Sequence, residues 1–158
     1  MIVLAVDCRC DRVRPRFRGS VSALAEMNIH LLTNSESSSL SFHDCKKFGD
    51  ASGYEVRLVV KSGGFGLDLD FYFEEWSLQQ FILGVAKMEE TLKGRADLKP
   101  MWEPGHMELE LDDLGHVTVS GEFVEYSPGH QQMRFEFMTD QTCLTPLLRD
   151  LKSLAELK

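Results

Sequence analysis

The stretch Phe65-Gly66-Leu67-Asp68-Leu69-Asp70-Phe71-Tyr72-Phe73 decides the fold class. Successive side chains of an extended chain point to opposite sides, so Phe65, Leu67, Leu69, Phe71 and Phe73 form one dry face. Asp68, Asp70 and Tyr72 form the wet one. Immediately upstream Val56, Leu58 and Val60 alternate in the same way, and Ser62-Gly63-Gly64 supplies a tight turn, which makes residues 55–73 an antiparallel hairpin. The alternation recurs downstream: Leu109 and Leu111 oppose Glu108, Glu110 and Asp112. Val117, Val119 and Phe123, then Met133, Phe135 and Phe137, supply further inward sets, with Glu122 and Glu136 turned the other way. Strands apolar on one side and charged on the other belong to antiparallel sheets. The seven carboxylates Asp68, Asp70, Glu108, Glu110, Asp112, Glu122 and Glu136 are therefore expected to share the exposed face of one sheet.

Between the two sets of strands the period changes. Leu78, Phe81, Ile82, Val85, Met88 and Leu92 recur at helical spacing, which predicts an amphipathic helix packed on the sheet. Ser77 with Gln80 reads as a capping box, Trp76 as a staple to Phe81, and Gly94 as the residue that closes the helix. Gly84 inside it is unfavourable for a helix and implies close approach to a neighbouring element. A second stripe, Leu144, Leu147, Leu148, Leu151 and Leu154, predicts a C-terminal helix with Thr142 as its N-cap and Pro146 in the first turn. With earlier strands near residues 28–33 and 40–46, the chain reads as α+β: an antiparallel meander with two amphipathic helices on one face.

A length of 158 residues, 43% of them apolar and 27% charged, suits one hydrophobic core. Residues 28–158 are read as a single α+β domain. Residues 1–27 lack sustained periodicity and hold five arginines against Asp7, Asp11 and Glu26, so they read as a basic N-terminal extension carrying +2. The remainder carries −10 of a chain whose net charge is −8. Such a balance repels phosphate backbones and disfavours direct nucleic-acid binding; a basic protein partner fits it better. No apolar run approaches the length of a membrane span, and Met1 to Val6 is cut off by Asp7 and the arginines, which implies a cytoplasmic protein.

Candidate chemistry is sparse. Cys8 and Cys10 with His43 and Cys45 form an arguable metal set, since i and i+2 share a face on a strand, but the spacing is not that of structural zinc sites, and reduced thiols are the simpler reading. Neither a metal nor a cofactor is expected. Cys143 at a helix start is a possible activated thiol, weighed against a small core residue in a Leu-rich segment. Carboxylates on an open sheet face lack the burial that separates an acid from a base. Trp102 beside Met101 in the loop after the first helix reads first as a lid over the core, and second as a partner-binding anchor together with Glu103. Thr139-Asp140-Gln141-Thr142 should satisfy its own turn and the free N–H groups of the last helix. From the residues alone three readings stay open: a binder of a basic protein, a generic scaffolding domain, and a small hydrolase using carboxylates or Cys143.

Three stretches together narrow this. They are Glu90-Thr91-Leu92-Lys93-Gly94-Arg95-Ala96 running into Pro100-Met101-Trp102-Glu103, then Gly115-His116-Val117-Thr118-Val119-Ser120-Gly121, then Phe135-Glu136-Phe137-Met138-Thr139-Asp140-Gln141-Thr142 before Leu144 and Pro146. Over roughly residues 28–157 the chain resembles a family of small bacterial α+β proteins that includes WapI-type immunity proteins. The resemblance implies a cytoplasmic antitoxin, without catalysis of its own, that binds the toxic C-terminal domain of a contact-dependent RNase toxin. An acidic sheet face would then meet the basic cleft such a nuclease needs for its substrate.

Overall fold

The alternation of apolar and polar residues is realised as strands, and the computed structural model describes them within residues 27–126 and 129–158. The order is β1 (Met27–Leu31), β2 (Ser38–Lys47), β3 (Gly53–Ser62), β4 (Phe65–Glu74), α1 (Glu75–Thr91), β5 (Gly94–Leu98), β6 (Gly105–Leu111), β7 (His116–Glu125), β8 (Gln131–Asp140) and α2 (Leu144–Ala155). The fold class is α+β, with every strand pair antiparallel and, within each sheet, each strand beside its sequence neighbour. The expected basic segment, including Cys8 and Cys10, lies outside the described residues except for Met27, the first residue of β1.

One expectation needs correction. The strands divide into two four-stranded meanders, β1-β2-β3-β4 and β5-β6-β7-β8, so the seven carboxylates cannot share one sheet. Asp68 and Asp70 stand on β4, an edge of the first sheet, and the other five belong to the second. The physical reason is α1. It leaves β4 without a loop and carries the chain away before the second meander begins. A short fifth strand, Gly94–Leu98, occupies what reads in sequence as a loop.

Both meanders turn their apolar faces into one core that also takes the helix stripes. Leu78, Phe81, Ile82, Val85 and Met88 of α1 and Leu144, Leu147, Leu148, Leu151 and Leu154 of α2 are buried, as their spacing requires. The sheets meet where the β3–β4 hairpin packs against β7 and β8. Phe71 packs edge-on against Phe123 at a ring separation of 5.1 Å, and the Ser62 hydroxyl at the β3–β4 turn donates to the Glu136 carbonyl at 3.3 Å. Phe65, expected on the dry face, is 75% exposed: periodicity assigns it a side, but the overhanging tip of the hairpin leaves that side open.

The helix ends differ in detail from the sequence reading. The N-cap of α1 is Glu74, and Ser77 lies three residues inside, where its hydroxyl donates to the Glu74 carboxylate at 2.9 Å. Trp76 is exposed and forms no staple over the core. Leu92, not Gly94, closes α1 in the left-handed region (φ 54°), its N–H donating to the Met88 carbonyl at 2.9 Å. Cys143, not Thr142, is the N-cap of α2; Asp140 caps the single 3-10 turn that precedes it, Gln141–Cys143, by accepting from the Thr142 N–H at 2.8 Å, and Pro146 does fall in the first turn of α2. Gly84 sits where the sequence places it. A Cβ there would lie 2.7 Å from Cβ of Ala96, so the missing side chain is what lets α1 rest on β5.

Candidate partner-binding surface

The wet face of β4 is assembled by pairing with β3, which sets Arg57 opposite Asp70 and Glu55 opposite Tyr72. Arg57 turns to Asp68 and donates two hydrogen bonds of 2.7 Å, a bidentate geometry that holds the Asp68 carboxyl below its usual range. Asp70 takes no hydrogen bond or ion pair from the described residues. Tyr72 stacks on Phe48 at 6.3 Å with the rings 15° apart. Burial, then the charges of Glu55, Asp70 and Glu103, pushes its hydroxyl above the ordinary tyrosine range, which places three carboxylates around one phenol.

Glu103 comes from the segment between β5 and β6, and that segment is braced. The Met101 N–H donates to both oxygens of the Glu74 carboxylate at 3.2 Å, and the Ser77 hydroxyl also reaches the Lys99 carbonyl at 3.2 Å. Pro100 is buried. The next two residues are the reverse: Met101 is 67% exposed and Trp102 80%, so Trp102 is not a lid over the core. A cleft of about 480 Å³ separates β4 from this segment and from the end of β7; its lining includes Arg57 with Asp68, and Asp70, Tyr72, Glu103, Phe123 and Glu125. A second, of about 400 Å³, continues from Tyr72 and Glu103 to Phe48 and Trp102. The structure thus gathers Asp68, Asp70, Trp102 and Glu103 at one seam. Phe48, Glu55 and Glu125 join them unannounced; Tyr72 shares the parity of Asp68 and Asp70 and was legible.

The remaining five carboxylates lie elsewhere. On the outer face of the second sheet Glu108 faces Arg95 at 3.5 Å, and Glu122 holds Arg134 through contacts of 2.9 and 2.6 Å while accepting from Gln132 at 2.8 Å. Asp112 is spent on the β6–β7 turn, where it accepts from the N–H groups of Leu114 and His116 and from the His116 ring. Glu110 and Glu136 are exposed and make no side-chain hydrogen bond or ion pair with described residues. With Asp97 the second sheet's outer face sets Asp97, Glu108, Glu110, Glu122 and Glu136 against Arg95 and Arg134, an acidic excess. The first sheet's outer face is closer to balance, Lys46, Arg57 and Lys61 against Glu55, Asp68, Asp70 and Glu74, the last of which is turned to Met101.

The nucleophile and metal candidates fare differently. Cys143 is 1% exposed and burial pushes its thiol up to about 12, so it is protonated at neutral pH and not activated by the helix end. Cys45 is likewise buried and pushed up to about 12. A bulge at Asp44 (φ 53°) turns Cys45 into the core while His43 stays beside Ser41 and His30, so the two do not share a face as regular strand spacing would require.

The carboxylates that do engage partners make stability pH-dependent. Asp68, Glu74, Asp112, Glu122 and Asp140 all sit below their ordinary range in the fold; at Glu74 burial works the other way and is outweighed by hydrogen bonds from its own and the Met101 backbone and from Ser77. Depressed folded values mean stability fully present above the unfolded carboxylate range near pH 4 and lost as pH falls through the lower folded values. Chemical denaturation between pH 7 and about 5 should therefore show a flat free energy, with a decline setting in below about pH 4. A protein equally stable at pH 3 and pH 6 would contradict this network.

No curated protein matches the chain. Among the described residues no helix is long and apolar enough to cross a membrane. The model of the Immunity protein WapI-like family matches residues 30–157, which covers β2 to β8, the end of β1, both helices and the whole seam. The chain belongs to the WapI-like immunity protein family.

Proposed function

We propose that the protein is the cytoplasmic immunity partner of a contact-dependent nuclease toxin, and that it neutralises the toxin by covering its basic substrate cleft with carboxylates. Family membership supports a toxin-binding role. The observation that carries the electrostatic part is the set of outward carboxylates without a partner among the described residues, Asp70 on the seam and Glu110 and Glu136 on the second sheet. Charges already neutralised within the protein, such as Asp68 by Arg57, add little to a partner's field, whereas exposed unpaired ones steer association. In this reading the protein catalyses nothing and holds no cofactor. A nuclease concentrates positive charge to hold phosphate, so the same field that binds RNA draws in an acidic competitor.

The test is co-expression with a nuclease toxin domain taken from a neighbouring gene: the wild-type chain should restore growth, and failure to do so ends the immunity reading. Charge reversal then locates the contact. Asp70→Lys should weaken toxin binding by at least about tenfold and flatten its dependence on salt, and the pair Glu110→Lys and Glu136→Lys reports separately on the second sheet. Affinity unchanged in all three places would remove the electrostatic mechanism even if rescue persists.

A further inference from the structure

We propose that the cleft between β4 and the 99–104 segment is a socket for a guanidinium: it receives an arginine side chain presented by the toxin's basic surface. This rests on the immunity reading and specifies its chemistry. Two kinds of wall meet here. Asp70, Glu103 and Glu125 line one cleft and none takes a hydrogen bond or ion pair from the described residues; the cation that also lines it, Arg57, is held by Asp68, and Tyr72 and Glu103 continue the cleft to Phe48 and Trp102. A planar cation that stacks on aromatic faces and bonds carboxylates in pairs satisfies both walls at once. The Arg57–Asp68 pair on the wall of the same cleft, which joins β3 to β4 through two bonds of 2.7 Å, displays that bidentate geometry.

The walls are also held in advance. Glu74 and Ser77 pin the backbone at Met101 and Lys99, Pro100 is buried behind them, and Phe48 backs Tyr72, so an 80% exposed Trp102 projects from a fixed base. An exposed large aromatic on a braced loop, rimmed by carboxylates, has the makeup of an interface anchor, because little ordering remains to be done on binding. Lysine fits less well: its ammonium is a strongly hydrated point charge and lacks the plane that stacks.

The probe is an acetylated, amidated tetra-arginine peptide, followed through the two tryptophan indole N–H signals of the full-length protein. Trp102 should shift saturably and Trp76, which lines neither cleft, should not. Tetra-lysine should bind more weakly. The double variant Asp70→Asn, Glu103→Gln, with its spectrum otherwise intact, should lose roughly tenfold in affinity for the arginine peptide. With the toxin itself, Trp102→Ala should cost at least about tenfold while leaving the denaturation midpoint unchanged. Equal shifts of both indoles, or full affinity in the double variant, overturns the socket. Failed rescue in cells with the peptide result intact would instead fault the immunity reading, so the two are separable.

Discussion

Phe123→Ala is expected to remove about 3–5 kcal/mol of folding stability, the range for truncating a buried phenylalanine when the cavity cannot collapse. The ring is 2% exposed, meets Phe71 of the other sheet edge-on at 5.1 Å and lies parallel to Phe135 at 6.2 Å. It is a point where β4 packs on β7 of the second meander, so its removal takes away both the aromatic contact and the filling between two sheets that no hydrogen-bond ladder joins. Against a total of about 5–15 kcal/mol for a typical domain, the loss leaves the variant marginal. Urea denaturation monitored by circular dichroism gives the number, with Phe123→Leu as a milder comparison expected to retain more than half the difference. A loss under about 1 kcal/mol would mean that the sheets are not held through this ring. Phe123 also floors the seam cleft, so the leucine variant should weaken partner binding more than it weakens folding.

What periodicity can and cannot specify is visible at particular residues. Alternation located the strands and told wet from dry at Leu58, Leu109, Val119 and Phe137, all of them buried, because the pleat forces parity on every side chain. The same logic at 3.6 residues placed Leu78 through Met88 and Leu144 through Leu154. Parity is silent about sheet membership: Asp70 and Glu110 have the same local pattern and stand on different sheets. Ala96 and Leu98 do alternate with Arg95 and Asp97, but five residues beginning at a glycine are too few to outweigh a loop reading. Glu74 is the N-cap of α1 without a cap hydrogen bond from its side chain, which Ser77 and Met101 occupy, and Asp140 caps only the 3-10 turn before α2; Ser77 and Thr142 are displaced from these places because strands run directly into both turns.

The seam was harder to read for a different reason. Asp68, Asp70 and Tyr72 were legible as one face, and Trp102 with Glu103 as a possible anchor. Their meeting depends on β4 packing against β7 of the other sheet and on a carboxylate, Glu74, that serves Met101 from 27 residues away in sequence. Phe48 and Glu125 arrive from still other connections. No local spacing encodes a contact among four separate segments; it follows only from how the two sheets pack.

Gly84 joins these two levels, and Gly84→Val is expected to destabilise the protein by about 3 kcal/mol or more. In an exposed helix the exchange would be mildly favourable, because glycine is among the poorest interior residues. Here the new Cβ would lie 2.7 Å from Cβ and 3.0 Å from Cα of Ala96, and 3.5 Å from the Arg95 carbonyl. The opposing atoms are a methyl group and backbone, neither of which can rotate away, so α1 must lift or β5 must move. The strand leads directly into the segment that carries Trp102, whose bracing residues Glu74 and Ser77 sit at the start of α1. Displacement between helix and strand therefore strains both attachments of that segment. Thermal or urea denaturation measures the stability loss, and Ala96→Gly in the same chain should return part of it by removing the facing methyl, a coupling expected of side chains in direct contact. Strictly additive effects of the two substitutions would show that α1 and β5 do not meet at this pair, and would leave the retention of glycine at position 84 without a packing explanation.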